Sequence, residues 1–390
     1  MTAVGGRGGA GRAALDGLRV IDVTTHLSGP YCAMLLADMG ADVIKVERPD
    51  GGDEARGMPP YVNGESAPFM LFNRNKRGIV LDLKTTGGQE ACARLAARAD
   101  VFLENMKPGT AARLGLGYET LRERNPGLVY CSISGFGQTG PYRDRGGFDL
   151  IAQGMSGLMS ITGEPDGAPL RVPIPISDLC GGMFAAFGIM CALNARARTG
   201  RGQLVDTSLL EAPIALSVYE AAVHFATGEV PERLGPAHRA SAPYQAFRTK
   251  DGWITIGGAS DHFWRRLCRI LGLETLVEDP RFATRGARVR HHRALAALLQ
   301  ERLERETTAR WLAQLEAEGI PAGPVLTYDQ VFTDPHVQAR EMVVPVEHPV
   351  AGATRVLGIP VKLSDTPGAI RRPAPTLGQH TAEILAELGL

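Results

Sequence analysis

The chain has 390 residues, of which 44% are hydrophobic and 22% charged, and its 42 basic side chains balance its 42 acidic ones. This composition is typical of a globular protein that is long enough for one large or two ordinary domains. Nucleic acids and acidic membranes bind proteins that carry a surplus of Lys and Arg. The balanced charge therefore argues against both kinds of partner.

The N-terminal residues are rich in Gly and Ala and lack the apolar core of a signal peptide, which predicts a disordered tail over residues 1–14. The longest uncharged apolar run covers residues 179–193, and a bilayer-spanning helix needs roughly 20 residues. We therefore interpret this run as a buried helix. The six cysteines form no CxxC pair and the nine histidines no HExxH pattern. We expect a cytoplasmic protein without a metal site.

Strand-like and helix-like segments alternate through the first half of the chain. Short apolar strands are predicted at residues 18–23, 41–46, 79–83, 100–103 and 128–133. Segments with helical spacing lie between them at residues 29–39 and 89–98. Strands that alternate with helices of this length form parallel sheets that are covered on both faces. We therefore predict an α/β fold with a large Rossmann-like domain.

The second half of the chain has a different pattern. A stretch rich in Pro, Gly and Ala at residues 228–243 precedes a strand at 253–256 and helices at 261–271, 291–304 and 309–318. Beyond Pro335 come short strands at 342–348 and 353–363 and a last helix after Pro375. We predict a large domain over residues 15–229, a smaller α+β domain over 230–332, and a C-terminal segment, 333–390, that returns to the large domain.

The segment Gly135–Gly140 fits the GxGxxG pattern and follows a predicted strand, as in a dinucleotide-binding site. Such a site needs an apolar helix that begins directly after the glycines, so that its N-terminus faces the pyrophosphate. The following residues, 141–147, have no apolar helical face. A Gly-rich loop at a strand end is the favoured interpretation, and an NAD-dependent oxidoreductase stays an alternative.

Asp178 lies in the segment ISDLCGG, directly before the apolar run. Asp is a favoured helix N-cap, and an acid at this position gains from the helix dipole. Because the helix is apolar, its N-terminus is expected to be buried, where a carboxylate is costly unless it has a function. Gly181 and Gly182 would leave open space above the carboxylate. The pattern allows both a plain cap and a functional acid.

Basic residues follow several of the predicted strands. In an open α/β sheet the carboxyl ends of the strands line the ligand crevice, so basic residues there suit a ligand with several phosphates. The residues in question are Arg48, Lys84, Lys107 and Arg113. A second basic cluster, NRNKRG, is either structural or ligand-facing, and it contains Arg74, Lys76 and Arg77.

Several segments resemble, in order, those of the class III CoA-transferase (CaiB/BaiF) family, which includes formyl-CoA transferase, carnitine CoA-transferase and α-methylacyl-CoA racemase. The segments are LRVIDVTTHLSGPYCAMLLADMGADVIKVERPDGGD, NRNKRGIVLDLK, ADVFLENMKPG, GFDLIAQGMSGLMSITGEPDGAP, ISDLCGG, ARTGRGQLVDTSLLEA and PAPTLGQHTAEIL. The resemblance covers residues 15–390. It implies a Rossmann-like domain built from both chain ends, a smaller middle domain, and an interlocked homodimer.

The resemblance also implies roles for individual residues. Asp178 matches the family's nucleophile, Asp149 a supporting acid, and Gly257 and Gly258 the glycine loop over the active site. The positions that match CoA contacts are Arg48, Leu81, Lys84, Asn105, Met106, Arg113 and Leu114. Coenzyme A is then a substrate, with no permanently bound cofactor.

The implied reaction moves CoA from an acyl-CoA thioester to a free carboxylic acid through aspartyl anhydride and aspartyl-CoA intermediates. The N-terminus of the helix is expected to favour the ionised nucleophile. The segments around residues 135–163 and 238–254 most resemble members that act on short dicarboxylates such as succinyl-CoA. His238 and Arg239 are candidates for binding the acid, with a plain surface loop as the alternative.

Two departures from the family pattern matter. Where some transferases carry a Gln after the first strand, this chain has Leu27 with His26 beside it, so acceptor recognition cannot be transferred at that point. The racemases of the family carry a His directly before the acid that matches Asp149, and here that residue is Phe148. A 2-methylacyl-CoA racemase is therefore the less favoured alternative within the family.

Overall fold

The computed structural model describes residues 13–390. The predicted disordered tail lies outside the described residues, apart from Ala13 and Ala14. The chain forms two compact units. The first contains the described residues 13–156 together with Val172–Leu216 and Asp334–Leu390, and the second contains Gly157–Arg171 and Ser217–Thr333.

The strands are numbered in chain order. They are β1 (Arg19–Asp22), β2 (Asp42–Glu47), β3 (Tyr61–Val62), β4 (Glu65–Ser66), β5 (Lys76–Val80), β6 (Val101–Glu104), β7 (Val129–Ser134), β8 (Leu204–Ser208), β9 (Tyr244–Arg248), β10 (Trp253–Gly257), β11 (Ala322–Pro324), β12 (Val343–His348) and β13 (Gly352–Leu357).

The α-helices are numbered in the same way. They are α1 (Ser28–Asp38), α2 (Ala67–Phe72), α3 (Thr86–Ala97), α4 (Thr110–Arg113), α5 (Tyr118–Arg124), α6 (Asp149–Met155), α7 (Leu158–Ile161), α8 (Ile176–Thr199), α9 (Glu211–Leu216), α10 (Val218–Thr227), α11 (Asp261–Leu271), α12 (Arg285–Arg290), α13 (His292–Leu303), α14 (Thr308–Ala317), α15 (Tyr328–Thr333), α16 (Pro335–Ala339) and α17 (Thr381–Leu388). Two 3₁₀ helices cover Glu54–Gly57 and Glu274–Val277.

A six-stranded sheet in the order β5-β2-β1-β6-β7-β8 forms the centre of the first unit. Every neighbouring pair in it is parallel, so the predicted parallel sheet is confirmed. β8 is not among the strands that the sequence predicts. Its residues alternate between exposed and half-buried, and it carries Asp206, so it lacks the continuous apolar run of a central strand.

Successive residues of the central strands pack on opposite faces of the sheet, because side chains alternate along a strand. On one face, Val20 and Val43 join buried residues of α1 and α8. On the other, Ile21 and Ile44 join buried residues of α3, α5 and α17. The sheet is therefore covered on both sides, which explains the short apolar runs in its central strands.

Helix α8 contains the apolar run that predicts a buried helix. Ala185, Ile189 and Ala192 are buried against the sheet, whereas Phe187 is 68% exposed. The helix is thus buried along one side only, which corrects the expectation. Within residues 13–390 it is the one helix that is long and apolar enough to cross a membrane by length and composition.

The C-terminal segment protects the edge of the sheet. The backbone N–H of Gly78 donates to His380 Nδ1 at 3.1 Å, and that of Val80 to Thr381 Oγ1 at 3.1 Å. These bonds satisfy donors on the outer side of β5, an edge strand that would otherwise offer a template for pairing. Farther upstream in this segment, β12 and β13 form an antiparallel hairpin.

The second unit is built around a three-stranded antiparallel sheet in the order β11-β10-β9. The core packs Trp264 and Leu267 of α11 against Ile254 of β10 and Leu299 of α13. The unit begins at Ser217, before the boundary predicted at residue 230, and includes residues 157–171 in addition.

A buried network of ion pairs lies beneath the carboxyl ends of the central strands. The Lys76 ammonium donates to Asp22 Oδ2 at 2.9 Å, to Asn73 Oδ1 at 2.8 Å and to the Pro30 carbonyl at 2.9 Å. Burial lowers the pKa of Lys76 to about 8, against the opposing effect of Asp22. The Lys45 ammonium lies 2.8 Å from Asp53 Oδ2. We call these four charged side chains, Asp22, Lys45, Asp53 and Lys76, the buried ion network.

The NRNKRG cluster is structural. Arg74 forms two hydrogen bonds with the buried Asp38 carboxylate, at 3.1 and 2.7 Å. Arg77 bonds Asp42 of β2 and also Glu383 and Glu387 of α17. Together with Lys76 in the buried ion network, these arginines hold β5, β2 and the C-terminal helix together.

We predict that Lys76→Met destabilises the protein by about 3–5 kcal/mol, because it leaves the Asp22 carboxylate buried without its partner. Arg124→Met removes an exposed ion pair with Glu90 and serves as the control, with an expected cost below about 1 kcal/mol. Urea unfolding of both variants gives the two free energies. Equal effects would contradict the importance of the buried pair.

Candidate active site

Asp178 lies in the first turn of α8, two residues after the helix begins at Ile176. The N-cap residue is Pro175, and no side chain caps this end of the helix. The interpretation of Asp178 as a plain N-cap is therefore wrong. The side chain is free for another role, while its backbone belongs to the helix.

Asp149 holds the backbone beside the candidate nucleophile. This buried residue begins α6, and its Oδ1 accepts a hydrogen bond of 2.8 Å from the backbone N–H of Ser177. Its Oδ2 accepts one of 2.7 Å from Gln153 Nε2. Gln153 is fully buried and also bonds both the N–H and the carbonyl of Val172. Asp149 and Gln153 thus fix the chain on both sides of residues 173–176.

Asp178 has a strongly perturbed pKa. Burial, together with the nearby Asp149 carboxylate, raises the pKa of Asp178 to about 7. The helix N-terminus is expected to favour the ionised nucleophile, but burial and the second acid act in the opposite direction. At neutral pH the carboxylate is poised between its two protonation states, as is common for catalytic groups.

The two glycines after Asp178 serve packing. A Cβ on Gly182 would lie 2.6 Å from the Ser28 carbonyl oxygen, and one on Gly181 would lie 3.2 Å from Leu209 Cδ2. The expectation that both leave open space above the carboxylate is wrong. Gly182 allows the first turn of α1 to approach α8 closely, so that the loop after β1 lies beside the N-terminus of α8.

A cleft of about 430 Å³ opens at the carboxyl ends of β1, β2, β5 and β6. It is lined by residues of the segments that follow these strands, among them Thr24, Thr25, Asp53, Leu83 and Thr110. Ligands of open α/β sheets bind at this edge, because the loops after adjacent parallel strands converge there. The cleft combines apolar walls with charged rims.

Five of the seven predicted CoA-contacting residues line this cleft, namely Arg48, Leu81, Lys84, Met106 and Leu114. Asn105 instead clamps the loop after β1: its side chain accepts from the N–H of Thr25 at 3.0 Å and donates to the Thr25 carbonyl at 2.8 Å. Arg113 is exposed and donates to Thr110 Oγ1 at 2.8 Å. Lys107 is exposed and is not among the lining residues.

The GxGxxG segment forms a loop after β7. The backbone N–H of Gln138 donates to the Asp206 carboxylate at 3.0 Å, and that of Gly137 to Ser134 Oγ at 2.9 Å. The next helix begins only at Asp149. The loop therefore lacks the adjoining helix N-terminus on which a dinucleotide fingerprint depends.

The remaining candidates lie in the second unit. Gly257 ends β10 and lines a cleft of about 540 Å³ together with Tyr244 and Pro321. The following glycine, Gly258, packs closely against Leu267. His238 lies edge-on between the rings of Tyr219 and Tyr244. Arg239 pairs with Glu220 and donates to the Glu232 carbonyl, so its guanidinium is engaged within the unit.

Three residues of the site carry no role in the sequence-based hypothesis. Gln153 supports the segment before α8, and Asp53 lines the cleft while it accepts from the N–H of His26 at 3.0 Å. His26 itself has a backbone φ of 62°, in the region that favours glycine. No motif signals these roles, because each depends on contacts between distant parts of the chain.

Comparisons with known proteins agree on one family. Residues 15–381 match the family described as CoA-transferase family III. The succinyl-CoA:glutarate CoA-transferase of Mus musculus is 42% identical over 96% of this chain and 86% of its own. The succinate–glutarate CoA-transferase of Agrobacterium fabrum is 43% identical over 96% of this chain and 95% of its own. A CaiB/BaiF family protein from Brucella suis has a crystal structure with a TM-score of 0.86 and 41% identity, covering 97% of this chain and 100% of that chain.

We predict that Gly182→Ala destabilises the protein by about 1–3 kcal/mol, because the new methyl group meets a backbone oxygen that cannot yield without moving α1. Gly181→Ala is the matched control. Its methyl group meets the flexible end of Leu209, and alanine favours the helix by about 0.5–1 kcal/mol. Thermal unfolding should show a loss for Gly182→Ala only. A similar loss for both variants would argue against the close approach of α1.

We also predict that Asp178→Asn stabilises the protein at pH 8 but not at pH 4. The folded pKa of Asp178 is raised, so its contribution to stability is full below the unfolded value of 3.8 and is lost as pH rises towards about 7. The gain at pH 8 should be on the order of 1–2 kcal/mol once solvent screening is allowed for. Urea unfolding at both pH values measures it.

Asp144→Asn, which changes an exposed carboxylate, is the control for this experiment. If the two variants had the same pH dependence of stability, the raised pKa of Asp178 would be refuted.

Proposed function

The chain belongs to CoA-transferase family III, and we propose that it transfers coenzyme A from succinyl-CoA to a short dicarboxylic acid such as glutarate. The observation that carries this proposal is the Asp178 carboxylate, which lies half-buried in the first turn of α8, without a capping role and near a second acid, Asp149. The named activities of the mouse and Agrobacterium relatives support the choice of substrates.

The cleft at the edge of the sheet is the proposed CoA site. Arg48 and Lys84 supply positive charge at its rim for the phosphates, while Leu81, Met106 and Leu114 offer apolar contacts to the rest of the cofactor. The side chain of Arg48 is 55% exposed and forms an ion pair with Glu54, with 2.9 Å between Arg48 Nη1 and Glu54 Oε1. A phosphate can therefore displace a weak surface ion pair rather than a buried one. Asn105 contributes by fixing the loop after β1.

The proposed reaction begins with nucleophilic catalysis by Asp178. One carboxylate oxygen of Asp178 attacks the thioester carbonyl of succinyl-CoA, the carbon–sulfur bond breaks, and CoA leaves as a thiolate. The product on the enzyme is a mixed anhydride. The thiolate then attacks Cγ of Asp178, which releases succinate and leaves an aspartyl-CoA thioester.

The second half of the reaction repeats these steps with the acceptor. The acceptor carboxylate attacks Cγ of the aspartyl-CoA thioester, and the CoA thiolate leaves again. The thiolate then attacks the acyl carbon of the new anhydride, which gives the acceptor thioester and frees Asp178. No proton is gained or lost overall. Because only the ionised acid attacks, the pKa of about 7 means that a large fraction of Asp178 is competent at neutral pH.

Asp149 acts in this scheme as a positioning residue. Its carboxylate accepts the N–H of Ser177, the residue before the nucleophile, and is itself held by Gln153. It therefore fixes the direction in which Asp178 leaves the helix. We further propose that Gly257 and Gly258 form the glycine loop of the site and that the first unit is Rossmann-like.

We propose a cytoplasmic homodimer as the working form. Large apolar side chains are exposed on both units, among them Phe187 at 68% and Phe225 at 84%. Exposed apolar surface of this kind favours association with another chain. The interlocked arrangement implied by the family resemblance would cover such surfaces on each protomer.

The proposal predicts a covalent adduct between coenzyme A and Asp178. Incubation with succinyl-CoA, followed by proteolysis and mass spectrometry, should yield a peptide with CoA attached to Asp178. Asp178→Asn should abolish the adduct and reduce transfer to glutarate by at least about 10³-fold, because the nucleophile is lost. Asp144→Asn should leave both unchanged.

The same assay tests the substrates. Glutarate and other short dicarboxylates should accept CoA from succinyl-CoA, and the release of succinate should match the formation of the new thioester. Deuterium uptake at the α-carbon of an acyl-CoA without acyl exchange would favour the racemase instead. Tight binding of NADH without affinity for CoA would favour the oxidoreductase.

A further inference from the structure

The loop between β1 and α1 is held rigidly by its backbone. Thr24 is fully buried, and both its N–H and its hydroxyl donate to Asp22 of the buried ion network. Thr25 is clamped through its N–H and its carbonyl by Asn105. The N–H of His26 donates to Asp53, a second member of the network. Hydrogen bonds to Asp22, Asn105 and Asp53 therefore fix three successive residues of the loop.

His26 presents an exposed imidazole on this rigid support. Its φ of 62° lies in the left-handed region, which is uncommon for residues other than glycine and costs conformational energy. Thr24 and Ser28, two positions away on either side, are buried, whereas the side chain of His26 is exposed. Backbone strain of this kind is concentrated at active sites and ligand clamps.

His26 adjoins both the loop residues that line the cleft and the chain segment that supports the nucleophile. On one side its loop neighbours Thr24 and Thr25 and its partner Asp53 line the cleft. On the other side its ring meets Phe148 edge-on, with ring centroids 6.4 Å apart. Phe148 directly precedes Asp149, which bonds the residue before Asp178. These contacts place His26 near the route that an acyl group would take from the cleft to Asp178.

We propose that His26 binds the non-reacting carboxylate of the dicarboxylic acid and so determines the preference for dicarboxylic over monocarboxylic acids. The inference rests on the proposed function, since it assigns a residue to the substrate class proposed above. An imidazole N–H is a strong donor to a carboxylate, and hydrogen bonds to charged groups are among the stronger ones in proteins. Its fixed backbone means that little entropy is lost when the bond forms.

Phe148 complements this role. Its ring is 68% exposed and packs against the edge of the His26 ring, so it restricts the directions that the imidazole can take. It also offers an apolar surface to the methylene chain between the two carboxylates. A dicarboxylate of the right length would contact His26 at one end and Asp178 at the other.

The test compares glutarate with pentanoate, which has the same number of carbons but only one carboxylate. His26→Gly removes the donor and relieves the backbone strain, because glycine adopts a positive φ freely. His26→Asn also tolerates this conformation and keeps an N–H donor. We expect His26→Gly to lower the ratio of kcat/KM for glutarate over pentanoate by about 10- to 100-fold. His26→Asn should retain part of the ratio.

His336→Asn provides a matched control, because His336 is an exposed histidine of α16 in the C-terminal segment. It should leave the ratio unchanged. An equal loss towards both acids in His26→Gly would overturn the proposal, since it would indicate a general structural effect. An unchanged ratio would overturn it as well. If the unmodified protein transferred CoA to no dicarboxylate, the proposed function itself would fail, and this outcome is distinct from a failure at His26.

Discussion

The Asp22 carboxylate, fully buried at the carboxyl end of the central strand β1, is the charge around which this edge of the sheet is organised. Lys76 from β5 neutralises it directly, and Lys45 from β2 connects it electrostatically to Asp53 in the following loop. Buried charges are tolerated only when they are paired and hydrogen-bonded. These pairs therefore fix three neighbouring strands and the two loops that form one wall of the cleft.

The nucleophile depends on a different balance. Asp178 is placed at the start of a helix, where the dipole favours a carboxylate, but burial and Asp149 act more strongly in the opposite direction. Asp149 thus has two effects: it orients the helix through Ser177, and it makes ionisation of its neighbour more costly. The result is an acid that is partly protonated at neutral pH and attacks as the anion.

Several features of the site follow from close packing between helices rather than from charge. Gly182 lets α1 approach α8, and this contact brings the loop that carries His26 beside the nucleophile. The same loop borders the cleft, because it follows the central strand. One loop therefore connects the cofactor side and the reacting side of the site, which is why its backbone is fixed at three successive residues.

Sequence pattern alone determined the α/β class, the parallel sheet and the positions of Arg48 and Lys84 at the cleft, whereas Lys107 and Arg113, predicted by the same rule, do not line it. These follow from local rules, since apolar runs form central strands and the residues after parallel strands converge at one edge. The family resemblance then singled out Asp178. Only the tertiary structure decided that β8 completes the sheet, that Lys76 is structural, that Gly182 is a packing contact and that the pKa of Asp178 is raised. Each of these depends on groups that are distant in sequence and meet only when the chain folds, so no local pattern contains them.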